Sequence, residues 1–243
     1  MDRRNLMPKP VKLVIVGAGG LGREVLATVR ACNEVRKQWN VLGFLDSNPH
    51  LAGREVDGLR LLGGDDWCRK NNDSSLRFFC AIGNSEARAQ VVENLSAMKC
   101  KFTSVVHPAV QIPDSVEVGA GTVIMAGTQF TTDAKIGAHS IIYLNCSITH
   151  DVDVGDFCLI PSGCNLSGGV VLETGVQLGA GVSILPGRRI GEWAKIGAGS
   201  VVTDDIPARS TAVGTPCRVI KQGKWRSGMN QECSPPRIEC RVR

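Results

Sequence analysis

Of the four histidines in this chain, His50, His107, His139 and His150, only His150 is followed by an acidic residue, Asp151. Neutral imidazole exists near pH 7 and can take up the proton that an amine or hydroxyl sheds as it attacks an acyl group. Position alone leaves two readings of His150 open, a general base and a solvated surface histidine. A second chemical signature lies near the N-terminus, where Gly17-Ala18-Gly19-Gly20-Leu21-Gly22 obeys G-x-G-x-x-G. Glycines at this spacing, between a strand and a helix, let backbone amides face a phosphate at the helix N-terminus. Asp46 closes the next apolar run, twenty-four residues after Gly22, where an acid can meet a ribose or sugar hydroxyl. Three readings stand side by side here: a nucleotide-sugar site, an NAD site with Asp46 on the adenosine ribose, and glycines that merely allow close strand–helix packing.

Two different scaffolds must position these residues. In the first hundred residues, Leu13-Val14-Ile15-Val16 reads as a buried strand that feeds the glycine turn, and Val25, Leu26, Val29 and Arg30 continue a helix. Residues 41–45 read as a second strand ending in Asp46, and 77–84 as another that ends in the Gly83-Asn84 turn before a helix over 86–98. About ninety residues precede the next regime, enough for a mononucleotide-binding βαβ unit and short of a full dinucleotide fold.

From Val106 to Val202 every sixth residue is large and apolar, in seventeen positions without a slip: Val106, Ile112, Val118, Ile124, Phe130, Ile136 and so on to Ile190, Ile196 and Val202. Four places after each comes a small or β-branched residue, among them Ala134, Ser140, Cys146, Cys158 and Cys164, with Arg188 the one exception. A period of six suits neither an amphipathic helix nor an alternating strand; it is a signature of a parallel β-helix. Three hexads make a triangular coil, residue n lies beneath residue n+18, and coils stack at roughly 4.8 Å through parallel ladders. The apolar residue fills the prism, and the small one four places later is expected to let the chain turn the corner.

Composition bounds the rest. A chain of 243 residues with 43% hydrophobic and 21% charged residues holds one large or two modest soluble domains. The run 13–16 after Arg3, Arg4, Lys9 and Lys12 is too short for a signal or membrane segment, so a cytoplasmic protein without a membrane partner is expected. Ten cysteines show no CxxC or Cys/His metal spacing, and three of them fill small inward positions as compact apolar groups. Cys146 and Cys164, eighteen apart, should stack as thiols in a reducing compartment. A net charge of +5, scattered and without aromatic interleaving, favours a small phosphorylated ligand over a nucleic acid.

The motifs taken together resemble a family. They are Val16-Gly17-Ala18-Gly19-Gly20-Leu21-Gly22-Arg23-Glu24, Gly43-Phe44-Leu45-Asp46-Ser47, Ala81-Ile82-Gly83-Asn84, Leu144-Asn145-Cys146-Ser147-Ile148-Thr149-His150-Asp151, Asn165-Leu166-Ser167-Gly168-Gly169 and Ala212-Val213-Gly214-Thr215-Pro216-Cys217. From Lys12 to Lys221 the chain is similar to the sugar acyltransferases of the sialic-acid O-acetyltransferase and UDP-4-amino-sugar N-acetyltransferase type. The resemblance implies an α/β Rossmann-like nucleotide-binding domain (1–104), a left-handed parallel β-helix of hexapeptide repeats (105–221) and a patternless, disordered tail (222–243). It implies a homotrimer with acetyl-CoA as co-substrate between neighbouring solenoids and no metal.

By the same resemblance His150 is the general base and Asp151 orients or polarises its ring. Gly19, Gly20, Leu21, Asp46, Ser47, Gly83 and Asn145 contact the acceptor, and Leu159, Gly168, Ala180 and Ala198 contact acetyl-CoA. Many relatives carry Asn seven residues before the histidine; this chain has Tyr143 there, with Asn145 two places on, which leaves the acceptor's identity open. Arg188 marks a loosened corner, facing CoA phosphates or solvent. His139 is expected to be exposed or at a subunit contact, and His107 to pack in the first coil. The eleven-residue separation of His139 and His150 does not match the paired histidines of zinc-binding γ-type carbonic anhydrases. The implied reaction is N-acetylation of a nucleotide-linked 4-amino-4,6-dideoxy sugar by direct attack on the thioester. Alternatives are O-acetylation of sialic acid or another sugar hydroxyl, a non-catalytic nucleotide-sensing trimer, and a redox function with NADH.

Overall fold

A computed structural model describes residues 9–48, 51, 53–71 and 73–223; His50 and the expected tail from residue 224 onward lie outside the described residues. The N-terminal apolar runs form β1 (Val11–Val16), followed by α1 (Gly20–Val35) and β2 (Trp39–Leu45). Three short elements that carry no clean periodicity come next: β3 (Glu55–Val56), β4 (Leu59–Gly63) and α2 (Asp66–Asn71). The domain finishes with β5 (Leu76–Cys80) and α3 (Ser85–Ala97). The spatial order is β3-β4-β2-β1-β5, parallel except for the β3–β4 hairpin. That hairpin turns at Asp57 and Gly58, both at positive φ. The chain grows from β1 toward β2 on one side and returns as β5 on the other. Such a reversal opens a crevice beyond the C-terminal strand ends, where the Gly17–Gly20 turn and the loop after β5 meet.

The solenoid follows. Its two-residue strands pair eighteen residues apart, as in Lys135 with Asp153, Ile141 with Leu159, and Ser147 with Asn165. They form three sheets, one per face of the prism. The inward row is buried from Ile136 to Val202, while Val106, Ile112, Val118 and Phe130 at the open end are only partly covered. The bend does not fall on the small residue. Ala134, Ser140, Cys146 and Cys158 are buried and fill the inside of the corner, and the preceding residue makes the turn in the left-handed region. Asp133, Asn145, Asp151, Gly163, Gly169, Gly181, Gly187 and Gly199 suit that conformation; His139, Phe157 and Trp193 are bulky residues held in it at φ 55–57°. The eight described cysteines are free and buried; Cys146 Sγ and Cys164 Sγ donate to the carbonyls of Pro161 (3.2 Å) and Gly179 (3.3 Å).

The two parts share a core. The outward residues at the start of one solenoid face, Val105, Val123 and Ile141, are buried with Met125, Leu13, Ile15, Val25, Leu26 and Phe44 in one cluster, and Tyr143 and Leu159 pack against it. Farther along the same column stand Gln177 and Lys195, so the N-terminal domain covers the first coils and leaves the later ones polar.

At this junction His139 departs from its expected exposed or intersubunit role. Its ring stacks on Phe157, with centroids 5.2 Å apart and planes 8° apart, and meets Phe102 edge-on at 4.8 Å. Phe157 stands one coil later at the same corner, and Phe102 enters from the chain before the solenoid, so only the folded chain assembles the stack. The ring's Nδ1 is buried without a partner among the described residues. Burial, and then the charge of Arg88, pushes its pKa down to about 4. The unfolded chain takes this proton below pH 6.5 and the folded one only near 4. The stability contribution is therefore complete above 6.5 and lost as pH falls toward 4, by up to ~3 kcal/mol. In melting experiments across that window the wild type should lose more stability than His139→Asn, which tolerates the left-handed corner. Parallel pH profiles for the two proteins would refute this.

Candidate active site

The glycine motif divides into two jobs. A Cβ on Gly22 would stand 2.0 Å from the Gly17 carbonyl oxygen, and one on Gly17, at φ +100°, would stand 2.8 Å from the Ala81 oxygen. Gly17 and Gly22 therefore serve strand–helix packing. Gly19 and Gly20 have nothing within 4 Å of a would-be Cβ, and neither does Gly83 across the crevice. Gly19 and Gly20 lie open at the start of α1, where amides without helical partners suit an anion, and Gly83 lies open in the loop before α3. Leu21 faces inward and packs on the shared core.

Asp46, at the end of β2, braces the loop: Oδ2 accepts from the Ala18 amide (2.9 Å) and Oδ1 from the Asn48 amide (2.9 Å). With Ser47, Asn48, Gly53 and the stretch Leu61–Gly64 it lines a hollow of about 480 Å³ beside the glycine turn. That volume is within the range of small-ligand sites. A second depression, of about 710 Å³ between α2 and the end of α3, is lined by Asp65, Arg69, Asn94, Ala97, Met98 and Lys99 and shares no residue with these loops.

On the solenoid, His150 and Asp151 form one turn at the corner, Asp151 at φ 59°. His150 Nδ1 lies 2.9 Å from Asp151 Oδ2. A carboxylate only accepts, so Nδ1 carries the proton and donates it, and the Nε2 lone pair is left to act as a base. The two side chains are 63% and 68% exposed, so the pair is available to a ligand. Gly168, one coil later, gives the ring its seat: a Cβ there would meet Cε1 at 2.3 Å and Nε2 at 2.4 Å. The Gly169 amide donates to the His150 carbonyl (3.0 Å) and ties the two coils together. Gly168→Ala is expected to tilt the exposed ring off its seat and lower kcat by roughly 10²-fold, because about 1 Å of misplacement suffices for that. Its melting temperature should match wild type, and unchanged kcat would show that the seat has no role.

The neighbouring corner carries Asn145, exposed at φ 57°, with Oδ1 over Gly127. The left-handed Gly163, Gly181 and Gly199 continue it, and Gly181 and Gly199 have nothing within 4 Å of a would-be Cβ. Ala180 and Ala198 are exposed on it. This bare backbone edge, one solenoid face away from His150, fits an extended thioester-bearing chain that must lie close to the coil. Leu159 lies elsewhere, in the junction with the N-terminal domain. Arg188 turns outward toward Asp205 (3.9 Å). Among the described residues no three His, Cys, Asp or Glu side chains gather at one point, and no helix is long and apolar enough to cross a membrane.

Two more residues meet at the junction: Tyr143, which the sequence marks only by its place seven residues before His150, and Arg88, which carries no signal there. Tyr143 reaches Glu24 of α1, and burial together with that carboxylate pushes its phenol up to about 12. Arg88 has no accessible surface, and burial lowers its pKa to about 10. In sequence it reads as one more polar residue on the α3 surface.

Comparison with known proteins agrees with this two-part layout. Residues 12–95 match the model of the PglD N-terminal domain, and residues 169–204 that of the bacterial transferase hexapeptide (six repeats). A mutant of GDP-perosamine N-acetyl transferase from Caulobacter crescentus, in complex with CoA and GDP-perosamine, is 30% identical. That similarity covers 87% of this chain and 97% of the other, with a TM-score of 0.80. The acetyltransferase domain of PglB from Neisseria gonorrhoeae is 27% identical over 86% of this chain and 99% of its own, with a TM-score of 0.78. WeeI from Acinetobacter baumannii is 28% identical, with 86% and 99% covered and a TM-score of 0.77. The galactoside O-acetyltransferase of Lactococcus lactis is 57% identical over 53 residues, 22% of this chain. The chain spans about a quarter of the length of such curated relatives, 26% in this case.

Proposed function

We propose, for a chain that belongs to the sugar acyltransferases with a PglD-type N-terminal domain and a hexapeptide solenoid, acetyl-CoA-dependent N-acetylation of a nucleotide-linked amino sugar. One observation carries the reading: a solvent-open imidazole, oriented by its adjacent carboxylate and seated on a side-chain-free coil, in a solenoid that shares a buried core with the domain bearing an open glycine crevice. The acceptor's diphosphate takes the amides at Gly19 and Gly20, and its nucleoside end takes the hollow at Asp46 and Ser47. Gly83 offers the opposite backbone wall. The sugar, a 4-amino-4,6-dideoxy hexose, then extends toward the solenoid, where Asn145 offers an amide to its hydroxyls.

Acetyl-CoA supplies the acyl group as a thioester. The residues that would hold it are Ala180 and Ala198, through backbone along the bare edge, and Gly168, through backbone beneath the His150 ring. As the sugar amine forms its bond to the acyl carbon, Nε2 of His150 takes the amine proton, and Asp151 stabilises the imidazolium through Nδ1–H. That proton is then available to the departing thiolate, so no acyl-enzyme is needed. A homotrimer acting in the cytoplasm completes the proposal.

A thiol-release assay with acetyl-CoA and a panel of UDP-, dTDP- and GDP-linked 4-amino sugars tests it. Turnover is expected with one nucleotide class, and none with the matching 4-hydroxy sugar. Release only with hydroxyl acceptors, or with none, would overturn the reading.

A further inference from the structure

We propose that Arg88 is a positioning residue: it locks the acceptor-side loop 81–84 to the coils that carry His150 and so sets acceptor affinity. Arg88 lies on the first turn of α3 and is wholly buried. On the N-terminal side Nη1 donates to the carbonyls of Ile82 (2.6 Å) and Gly83 (3.0 Å), and Nη2 to Ser85 Oγ (3.3 Å). On the solenoid side Nε donates to the His139 carbonyl (2.8 Å), and Nη2 to those of Phe157 (2.7 Å) and Cys158 (3.2 Å). No carboxylate forms an ion pair with it among the described residues. A buried cation ordinarily demands such a partner, and here carbonyl dipoles replace it.

The arrangement is geometric. A guanidinium is a rigid planar fork, so a relative slide of loop and solenoid breaks bonds on both sides together. The solenoid carbonyls belong to His139 and Phe157, left-handed corner residues one coil apart, and His150 lies on the chain between them. The loop carbonyls belong to Ile82 and Gly83, next to the open wall of the crevice. One side chain thus sets the separation between the acceptor's wall and the turn bearing the base. Simple adhesion between the domains is already supplied by the apolar cluster around Ile141 and Val123.

The inference rests on the acceptor reading of this loop, and its test separates the two. Acceptor and acetyl-CoA kinetics are compared for wild type, Arg88→Lys and Arg88→Met. In Arg88→Met the acceptor KM should rise roughly tenfold or more while the acetyl-CoA KM stays within about twofold, and Arg88→Lys should recover part of the loss. Equal changes in both constants, or none, in folded protein would overturn it. If Arg88→Met does not fold, Arg88→Lys decides by the same split. Should wild type show no acyl transfer, the enzymatic reading fails and the variants are judged by melting-temperature shifts. Loss of the shift given by GDP or UDP, with that given by CoA retained, supports the positioning role; loss of both, or of neither, refutes it.

Discussion

Replacing His150 by alanine should lower kcat by roughly 10²–10⁴-fold, the range for removal of a positioned general base. The fold should not notice. The side chain is 63% exposed and its only polar partner among the described residues is the adjacent Asp151, so stability should change by less than about 0.5 kcal/mol. Loss of activity with an unchanged melting curve distinguishes catalysis from collapse. Asp151→Asn provides the graded companion: asparagine accepts the left-handed φ of 59°, keeps the size and removes the charge. It should fall between wild type and His150→Ala, since the ring keeps a neighbour and loses its electrostatic support. Wild-type turnover by His150→Ala would remove this imidazole from the reaction.

The second large effect belongs to Gly22. A valine there would drive its Cβ to 2.0 Å from the Gly17 carbonyl oxygen, and Phe44 Cε1 stands at 3.3 Å on the same side. The start of α1 must move away from β1, which disrupts the packing of Val25 and Leu26 on Leu13 and Ile15. The expected penalty is about 3 kcal/mol or more, at the upper end of overpacking effects. Thermal or denaturant unfolding should show it, together with loss of acceptor binding. Gly20→Ala is the contrast, because its Cβ would meet nothing within 4 Å. It should melt like wild type while weakening acceptor binding, because the methyl intrudes where the phosphate approaches. A Gly22→Val protein as stable as wild type would mean that the close approach is not what demands glycine.

The two variants also show what a motif conceals. All the glycines of Gly17-Ala18-Gly19-Gly20-Leu21-Gly22 look alike in sequence, and rival readings of packing and binding compete for the whole stretch. The fold assigns packing to Gly17 and Gly22 and exposure to Gly19 and Gly20. Asp46 shows the same limit: the expected acid at the second strand's end is there, and its oxygens are engaged by the Ala18 and Asn48 amides that shape the loop. The short β3, β4 and α2 left no periodic trace because two to six residues are too few to express one.

What the sequence determined alone was whatever repeats or is local. The inward row from Val106 to Val202 dictates its own ladder, since each coil is a template for the next at a separation of eighteen residues. The adjacency of His150 and Asp151 in one turn likewise needs no tertiary information. Tertiary structure alone decided the junction: the stacking of His139 between Phe102 and Phe157, the packing of Leu159 on the N-terminal domain, and the burial of Arg88 against carbonyls 51 and 69 residues away. The physical reason is that a rigid solenoid meets a twisted sheet along only one of its faces. Which side chains are caught between them follows from the docking of two preformed surfaces, and no spacing along the chain encodes that.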